Sequence, residues 1–540
     1  MASLFEKIFP VLNAPEYINS PEVIISSVMW YELNKNLDPV EINGEKYRRN
    51  VAFSLSEKKK KHLRSDDGTQ ETQHPGKVKY VITHTVPKRD MGSETYEIWK
   101  NELESKLKEN NFVYNKTASF SEAVFDSLEG IIAPKSVGSS SIPFSLGTAL
   151  LQDQVGGLKK PSPFNLPGSL NKIYCFGNLK ADQPRASELL FNEVKKPYEN
   201  QPILNIISDS VLNGITPLKK LDIDKDSLEP SGKPTDPEVI PKWLDKLDKR
   251  KEESINGSNP FLWFYESWNR LLDKNNNYKS KLSARRYTDW IQCIARTGLI
   301  FSHLWCDLFY IKTADGLKNI INESDENKHE QLLEKLEKTL YSLNLFEYFT
   351  WKSSGLKPID IKIKYKEFAR DGLLKRKAIE NLTKEMEGEG ILINNDEDGL
   401  KNWLKKAKDY LIKHGSAKDN FNFTLNNTDT PSGLSNRVFF YRYSIRCREK
   451  IGMNSDLYYV GEEDNNHWLY INPSAEWLVV ISQLSKDKVN DKTRLKDVMQ
   501  SIKLLGINAS KSIVSKKLEQ IGLCTLKEDA DEGLEIFNGF

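Results

Sequence analysis

The hydrophobic residues near the end of the chain recur at helical spacing in three consecutive runs. The first run follows Asn472-Pro473-Ser474, which predicts a helix start because it supplies a capping side chain and a proline suited to the first turn. The second run stops at Gly506 and the third at Gly522, and glycine commonly follows the last turn of a helix. The inward positions of the three predicted helices are Trp477, Leu478, Ile481 and Leu484; then Leu495, Val498, Met499, Ile502 and Leu505; then Ile513, Val514, Leu518 and Ile521.

Two short apolar runs follow these helices. Residues 523–526 and 534–537 have the composition of strands, and the polar stretch 527–533 between them predicts a hairpin. Three helices followed by a hairpin resemble the winged helix-turn-helix superfamily, whose members mostly bind DNA and in a large minority bind only other proteins. The resemblance covers residues 467–540 and rests on pattern rather than on a signature motif.

The resemblance implies that residues 510–521 form the recognition helix. Helical spacing then places a polar set of residues on its outer face, and side chains of these types can reach phosphates and base edges in a major groove. The expected outward residues are Lys511, Ser512, Ser515, Lys516, Glu519 and Gln520.

The implied wing is acidic, which departs from the DNA-binding pattern. Its charged residues are Glu528, Asp529, Asp531 and Glu532, and a duplex would repel them. Either the wing points away from DNA or the module binds protein.

Two other predicted helices carry basic stripes. In residues 400–411 the apolar positions fix the buried side, so that Lys401, Lys405 and Lys408 are expected together on an outer face. In residues 437–451, a basic residue recurs every fourth position, at Arg442, Arg446 and Lys450. These stripes are candidate nucleic-acid contacts, and an ordinary solvated helix surface is the alternative for each of them.

The remaining patterns predict a mostly α, multidomain protein with small α+β parts, ending in a winged helix-turn-helix. Within residues 1–216 they favour a strand at 79–86 and helices at 94–110 and 121–132. Within residues 259–460 they favour a helix over 285–309 that Gly298 interrupts. The predicted divisions are an α+β region at 1–216, a charged proline-containing linker at 217–258, a helical region with basic helices at 259–460, and the winged-helix-like domain at 461–540.

Composition adds little to this picture. The 540 residues include 78 lysines and arginines against 76 acidic residues, so net charge neither favours nor excludes nucleic acid. The five cysteines form no C-x-x-C pair, as expected for reduced thiols in a cytoplasm. The most apolar long run, 297–311, contains His303 and Asp307 and is too short and polar for a membrane span. We therefore expect a cytoplasmic protein without membrane contact.

No motif indicates a catalytic chemistry. The seven histidines lack metal-ligand spacing, and the chain has no phosphate-loop, nucleophile-elbow or dinucleotide-binding signature. We interpret His303 as a core histidine, and we expect no catalytic residues, metal or cofactor.

The leading hypothesis is a non-catalytic adaptor or DNA-binding accessory subunit with double-stranded DNA and other proteins as partners. The layout, a large motif-poor chain with a terminal winged helix, resembles accessory subunits of bacterial DNA-processing or phage-defence (antiviral) assemblies. Two alternatives stay open: a metal-dependent nuclease whose carboxylates come from distant positions, and a protein scaffold that contacts no nucleic acid.

Overall fold

The computed structural model describes mainly residues 3–12, 165–179, 184–199, 239–248, 257–276, 278–346, 363–414, 433–445, 457–463, 468–486, 492–525 and 534–537, with short pieces elsewhere. Of the described residues, 73% are helical and 3% lie in strands, which confirms the predicted mostly α class. The predicted strand 79–86, the helix 121–132 and the acidic tip 527–533 lie outside the described residues, as does most of the predicted helix 94–110.

The helices follow one another along the whole described chain. Their bounds are α1 Leu4–Ile8, α2 Asn165–Gly177, α3 Ala186–Glu199, α4 Asp245–Asp248, α5 Pro260–Leu272, α6 Tyr278–Lys281, α7 Ala284–Asn322, α8 His329–Tyr341, α9 Tyr365–Gly388, α10 Gly399–Lys413, α11 Leu434–Ile445, α12 Ala475–Leu484, α13 Leu495–Leu504 and α14 Lys511–Gln520. Three single 3₁₀ turns accompany them, at Lys242–Leu244, Lys274–Asn276 and Glu326–Lys328.

The described strands are short, and they pair with one another only in antiparallel fashion. Their bounds are β1 Val40–Ile42, β2 Glu45–Tyr47, β3 Phe53–Leu55, β4 Leu228–Pro230, β5 Ile363–Lys364, β6 Gly461–Glu463, β7 Trp468–Ile471, β8 Thr493–Arg494 and β9 Glu535–Ile536. They pair as β1 with β2, β3 with β4, β7 between β5 and β6, and β8 with β9.

Helix α7 is the centre of the fold. Its 39 residues begin after the capping side chain of Ser283, and at 1.5 Å per residue they extend about 58 Å. Helices α5, α8, α9, α10 and α11 pack against it, so most of its side chains from Trp290 to Ile321 are buried. Among the residues that the structure describes, no helix is long and apolar enough to cross a membrane.

Gly298 lies inside α7 and does not interrupt it, so the predicted break is wrong. A Cβ at this position would lie 2.3 Å from Cδ2 of Phe264, which belongs to α5. The glycine is required because it lets α5 approach α7 closely, and the hydrogen bonds of α7 continue past it.

Part of the predicted linker 217–258 is attached to the core. Trp243 and Leu244 are fully buried, and the Trp243 indole N–H donates to the main-chain oxygen of Ile8 over 2.7 Å. Lys246 forms a 2.6 Å ion pair with Asp398, just before α10. Buried residues from Leu4 to Ile536 form one connected cluster. The division of the chain into domains stays a prediction.

The three predicted C-terminal helices are confirmed as α12, α13 and α14. Trp477, Leu478 and Leu484 of α12 are almost completely buried, as the pattern predicts. Strand β8, which the sequence pattern did not predict, lies between α12 and α13. It pairs with β9, which lies within the predicted strand 534–537. Residues 523–525 form no strand, so the predicted strand 523–526 and its hairpin with 534–537 are wrong: β9 pairs with β8 instead. The amide of Phe537, just after β9, donates to the oxygen of Leu523 over 2.6 Å.

Both predicted stop glycines follow the ends of their helices. Gly506 and Gly522 have φ angles of 82° and 76°, a left-handed conformation that glycine adopts without steric cost. The amide of the residue after each glycine donates a hydrogen bond to a main-chain oxygen in the last turn of the helix. Ile507 donates to the oxygen of Ile502, and Leu523 to the oxygen of Leu518. This is the Schellman arrangement, which satisfies carbonyls that the end of a helix leaves open.

The turn between α13 and α14 is attached to the helical body. Asn508 donates its amide to the oxygen of Phe349, and its own oxygen accepts the amide of Trp351, both over 2.8 Å. A third main-chain bond of 2.8 Å joins the amide of Asn259 to the oxygen of Leu504 at the end of α13. The position of α14 is therefore fixed relative to α5 and α7.

Candidate nucleic-acid interface

Helix α14 is held by its first turn and by one apolar side. The Ser510 side chain caps the helix by accepting the amide of Ile513 over 3.3 Å. Val514 and Leu518 are fully buried, and the helix packs against α13. The opposite side of α14 is left to solvent.

The exposed side of α14 contains most of the expected residues. Lys511, Ser512, Lys516 and Gln520 are exposed, and Glu519 lies among them. They form a polar face with two positive charges and one negative charge. Such a face can donate hydrogen bonds to phosphates through its lysines and to base edges through its serine and glutamine.

Ser515 does not lie on this face, so its predicted exposure is wrong. Ser515 is only 5% exposed. Its hydroxyl donates to the main-chain oxygen of Ser512 over 3.3 Å, and its main-chain oxygen accepts a hydrogen bond from the thiol of Cys524. The reason is helical geometry: Ser515 follows Val514 and precedes Leu518 by three positions, so the buried side includes it.

The lysine stripe of α10 is divided between solvent and interior. Lys401 and Lys405 are exposed, as expected. Lys408 is only 6% exposed, which corrects its predicted place on an outer face. Its ammonium group forms ion pairs with Glu330 of α8 and, over 3.4 Å, with Asp409.

The acidic side of α8 compensates the charge of this stripe. The Nζ atom of Lys401 lies 3.8 Å from Oε2 of Glu337, a second ion pair between α10 and α8. The hydrogen bond from Lys408 lowers the pKa of Glu330, and the charge of Lys405 adds to the effect. Lys408 is therefore engaged inside the chain, and Glu337 compensates part of the charge of the exposed Lys401, which leaves less positive charge for a phosphate backbone.

The second stripe belongs to α11, whose described part ends at Ile445. Arg442 is half-buried there, while Arg446 and Lys450 lie outside the described residues. The structure thus places one of these three predicted contacts, on a helix that packs against α7 and α9.

The same helix contributes to a buried polar cluster that sequence reasoning missed. Arg437 donates to Oδ1 of Asp307 over 3.1 Å, and the Tyr441 hydroxyl donates to Oδ2. Burial raises the pKa of Asp307, while the neighbouring Arg437 and Tyr441 act in the opposite direction. The sequence signal was the aspartate itself, since a charge within the most apolar run of a chain requires a buried partner.

His303 lies one turn before this aspartate and is completely buried. Its Nδ1 atom lies 2.8 Å from the oxygen of Leu299, and its ring meets that of Phe440 edge-on at 4.9 Å. These contacts are those of a core histidine. In the described part of the chain, no group of three or more histidines, cysteines and acidic residues could hold a metal ion.

Comparisons of the chain with protein-family models, with curated proteins and with solved structures find no match. The candidate interface therefore rests on the geometry of α14 and its surroundings.

Proposed function

We propose that residues 468–537 form a winged-helix-like module, and that the protein is a non-catalytic adaptor that contacts double-stranded DNA through α14. The order of elements supports this proposal: α12, β8, α13 and α14 are followed by β9, which returns to pair with β8. In winged helices the third helix enters the major groove, and α14 holds that position in the order.

One observation carries the proposal. Lys511, Ser512, Lys516 and Gln520 share the exposed side of a helix whose other side is fixed in the core. The ten residues of α14 extend about 15 Å, and a major groove about 12 Å wide admits a single helix. The lysines would bind phosphates, and Ser512 and Gln520 would reach the base edges.

The basic stripe of α10 is a weaker candidate for the same role. Lys408 is buried against Glu330, and Lys401 is paired with Glu337. A phosphate would have to compete with these carboxylates, which already supply the counter-charge.

The decisive experiment compares two charge reversals of equal size. Binding of a fluorescent duplex is measured by anisotropy at 50 mM and 200 mM salt for the wild type, for Lys511→Glu with Lys516→Glu, and for Lys401→Glu with Lys405→Glu. We expect the α14 variant to bind at least about tenfold more weakly, because two phosphate contacts become repulsions, while the α10 variant stays within about twofold.

Either of two results would contradict the proposal. A wild type without affinity for duplex at 50 mM salt would exclude DNA as the partner. Loss of binding in the α10 variant alone would transfer the interface to that helix.

A protein partner for the module is the second candidate. The Phe537 side chain, next to the β9 strand, is 50% exposed, and an exposed aromatic of this size is typical of protein contacts. If duplex binding is absent, a Phe537→Ser variant that loses a co-purifying protein while the wild type retains it would favour this alternative. A role in a bacterial DNA-processing or phage-defence assembly stays a prediction.

A further inference from the structure

Residues 3–12 lie in a groove of the helical body, and the contacts that hold them there are of the kind that hold a bound peptide. Side chains from four separate elements donate hydrogen bonds to main-chain oxygens of this segment. The pairs are Trp243 with Ile8 at 2.7 Å, Tyr310 with Pro10 at 3.2 Å, Lys172 with Val11 at 3.5 Å and Arg376 with Leu12 at 3.1 Å. Recognition of main-chain oxygens by side chains is a common way to hold a peptide whose own backbone pairs with no sheet.

The apolar side chains of the segment occupy the bottom of the groove. Phe5, Ile8 and Phe9 are buried to 3% exposure or less. The Phe9 ring meets Trp403 of α10 edge-on at 4.8 Å and stacks with Phe5 at 5.0 Å. Their spacing of three and four residues is that of an amphipathic helix that binds in a groove.

Gly399, the first residue of α10, leaves room for this ligand. A Cβ at this position would lie 3.2 Å from Cδ1 of Ile8 and 2.8 Å from the oxygen of Asn394. A larger residue would therefore narrow the groove where Ile8 enters it.

The segment also encodes its own local shape. The Ser3 side chain accepts the amide of Glu6 over 3.3 Å, and the Glu6 carboxylate accepts the amide of Ser3 over 3.3 Å. This capping box defines the helical turn of α1 within four residues. A segment whose turn is encoded locally loses less conformational entropy when it binds.

We propose that residues 3–12 are a docking peptide, and that the groove formed by α2, α7, α9, α10 and residues 241–244 is a peptide-binding site. The chain fills this site with its own segment, and the same segment of a second copy of the chain can take its place. The occupant recognised is thus a short amphipathic helical turn followed by an extended Pro-Val-Leu stretch.

The test uses the full chain and a labelled synthetic peptide of residues 1–14. In the wild type, the attached segment competes at an effective concentration on the order of millimolar, so added peptide should bind weakly. The variant Phe5→Asp with Phe9→Asp expels its own segment from the apolar groove and should bind the peptide saturably. We expect at least about a 100-fold difference in affinity between the variant and the wild type.

Two altered peptides provide matched controls. Lys7 is exposed, so a peptide with Lys7→Asp should bind the variant as well as the original does. A peptide that carries Phe5→Asp and Phe9→Asp should not bind. Equal binding to wild type and variant, or no binding to a variant that retains its helical circular dichroism, would overturn the proposal.

Hydrogen exchange on the wild type keeps the proposal testable if the variant fails to fold. The amides of Lys7 and Phe9 are hydrogen-bonded within the segment. They should exchange together and at least about tenfold faster than the central amides of α7, because a docked peptide opens without global unfolding. Exchange of both sets only by global unfolding would show that residues 3–12 are an integral part of the core.

Discussion

Arg437 and Asp307 form an ion pair that solvent hardly reaches: the Nη1 and Oδ1 atoms are 3.1 Å apart, and the side chains are 4% and 1% exposed. The Tyr441 hydroxyl donates a hydrogen bond to the second carboxylate oxygen of Asp307, Oδ2. The pair joins α7 to α11, so the position of α11 depends on two buried charges that compensate each other.

Removal of one partner of this pair should destabilise the protein strongly. Arg437→Met leaves the Asp307 carboxylate buried without its counter-charge, and we expect a loss of about 3–5 kcal/mol in the free energy of unfolding by urea. The double variant Asp307→Leu with Arg437→Met removes both charges and should recover most of that loss. Equal losses in the single and double variants would show that packing, and not charge, holds the two helices together.

Gly372 of α9 should tolerate no side chain, because it contacts the same aspartate. A Cβ there would lie 2.7 Å from Cβ and Cγ of Asp307. We expect Gly372→Ala to cost about 1–3 kcal/mol in thermal or urea unfolding. The matched control is Gly388→Ala at the end of the same helix, where nothing lies within 4 Å. It should be neutral or slightly stabilising, and a similar loss in both variants would contradict the steric explanation.

The proposed DNA contact of α14 has a measurable salt dependence. The logarithm of the affinity for duplex DNA falls with that of the salt concentration, by about 0.9 for each phosphate contact. Lys511→Gln with Lys516→Gln should therefore reduce this slope by about 2. Ser515→Ala should leave the slope unchanged because the Ser515 side chain is buried. An unchanged slope in the lysine variant would mean that these lysines contact no phosphate.

The ion pair between Lys408 and Glu330 should give a characteristic dependence of stability on pH. The pKa of Glu330 is lowered by its hydrogen bond from Lys408, so the pair stabilises the protein above the unfolded-state pKa of about 4.3 and is lost as the pH falls through the folded-state value. Burial lowers the pKa of Lys408, but Glu330 and Asp409 outweigh it and raise the pKa overall. The pair therefore persists up to the unfolded lysine pKa of about 10.4 and is lost as the pH rises through the folded-state value.

Glu330→Gln tests this dependence. Its free energy of unfolding should fall below that of the wild type by about 1 kcal/mol or less at pH 7, since Glu330 is solvent-exposed. The difference between the two proteins should shrink as the pH is lowered from 5 to 3, because protonation of Glu330 removes its ion pair with Lys408. A difference that stays constant over this range would exclude ionisation of Glu330 as its cause.

Local signals predicted the C-terminal helices well because each signal acts within a few residues. Ser474 of the predicted start motif caps α12, although Pro473 lies before the cap and not in the first turn as predicted. Gly506 lies beyond the end of α13, where the pattern predicted the helix to stop. All four predicted inward positions of α12 are buried, since one side of a regular helix needs only a spacing of three and four residues. Burial of Val480, Ser482 and Gln483 as well was not predicted, because other parts of the chain cover the remaining sides of this helix.

The errors arose where a distant part of the chain determines the outcome. Gly298 permits the approach of Phe264, Lys408 is buried by Glu330, and neither neighbour can be found by spacing along the helix. Trp243 likewise binds to Ile8, more than 200 positions away in the sequence. Periodicity shows which side of a helix is apolar, but it does not show which partner covers a polar side.

The attachment of Asn508 has a mechanical consequence. Phe349, whose oxygen accepts the amide of Asn508, presents its ring edge-on to Phe301 in the middle of α7 at 5.8 Å. Force on α14 would therefore pass through the main-chain bond of Asn508 to Phe349, and from the Phe349 ring to Phe301 in α7, the longest of the described helices. A ligand bound to α14 would therefore hold a defined orientation relative to α7, because main-chain bonds join both ends of the α13–α14 turn to the helical body.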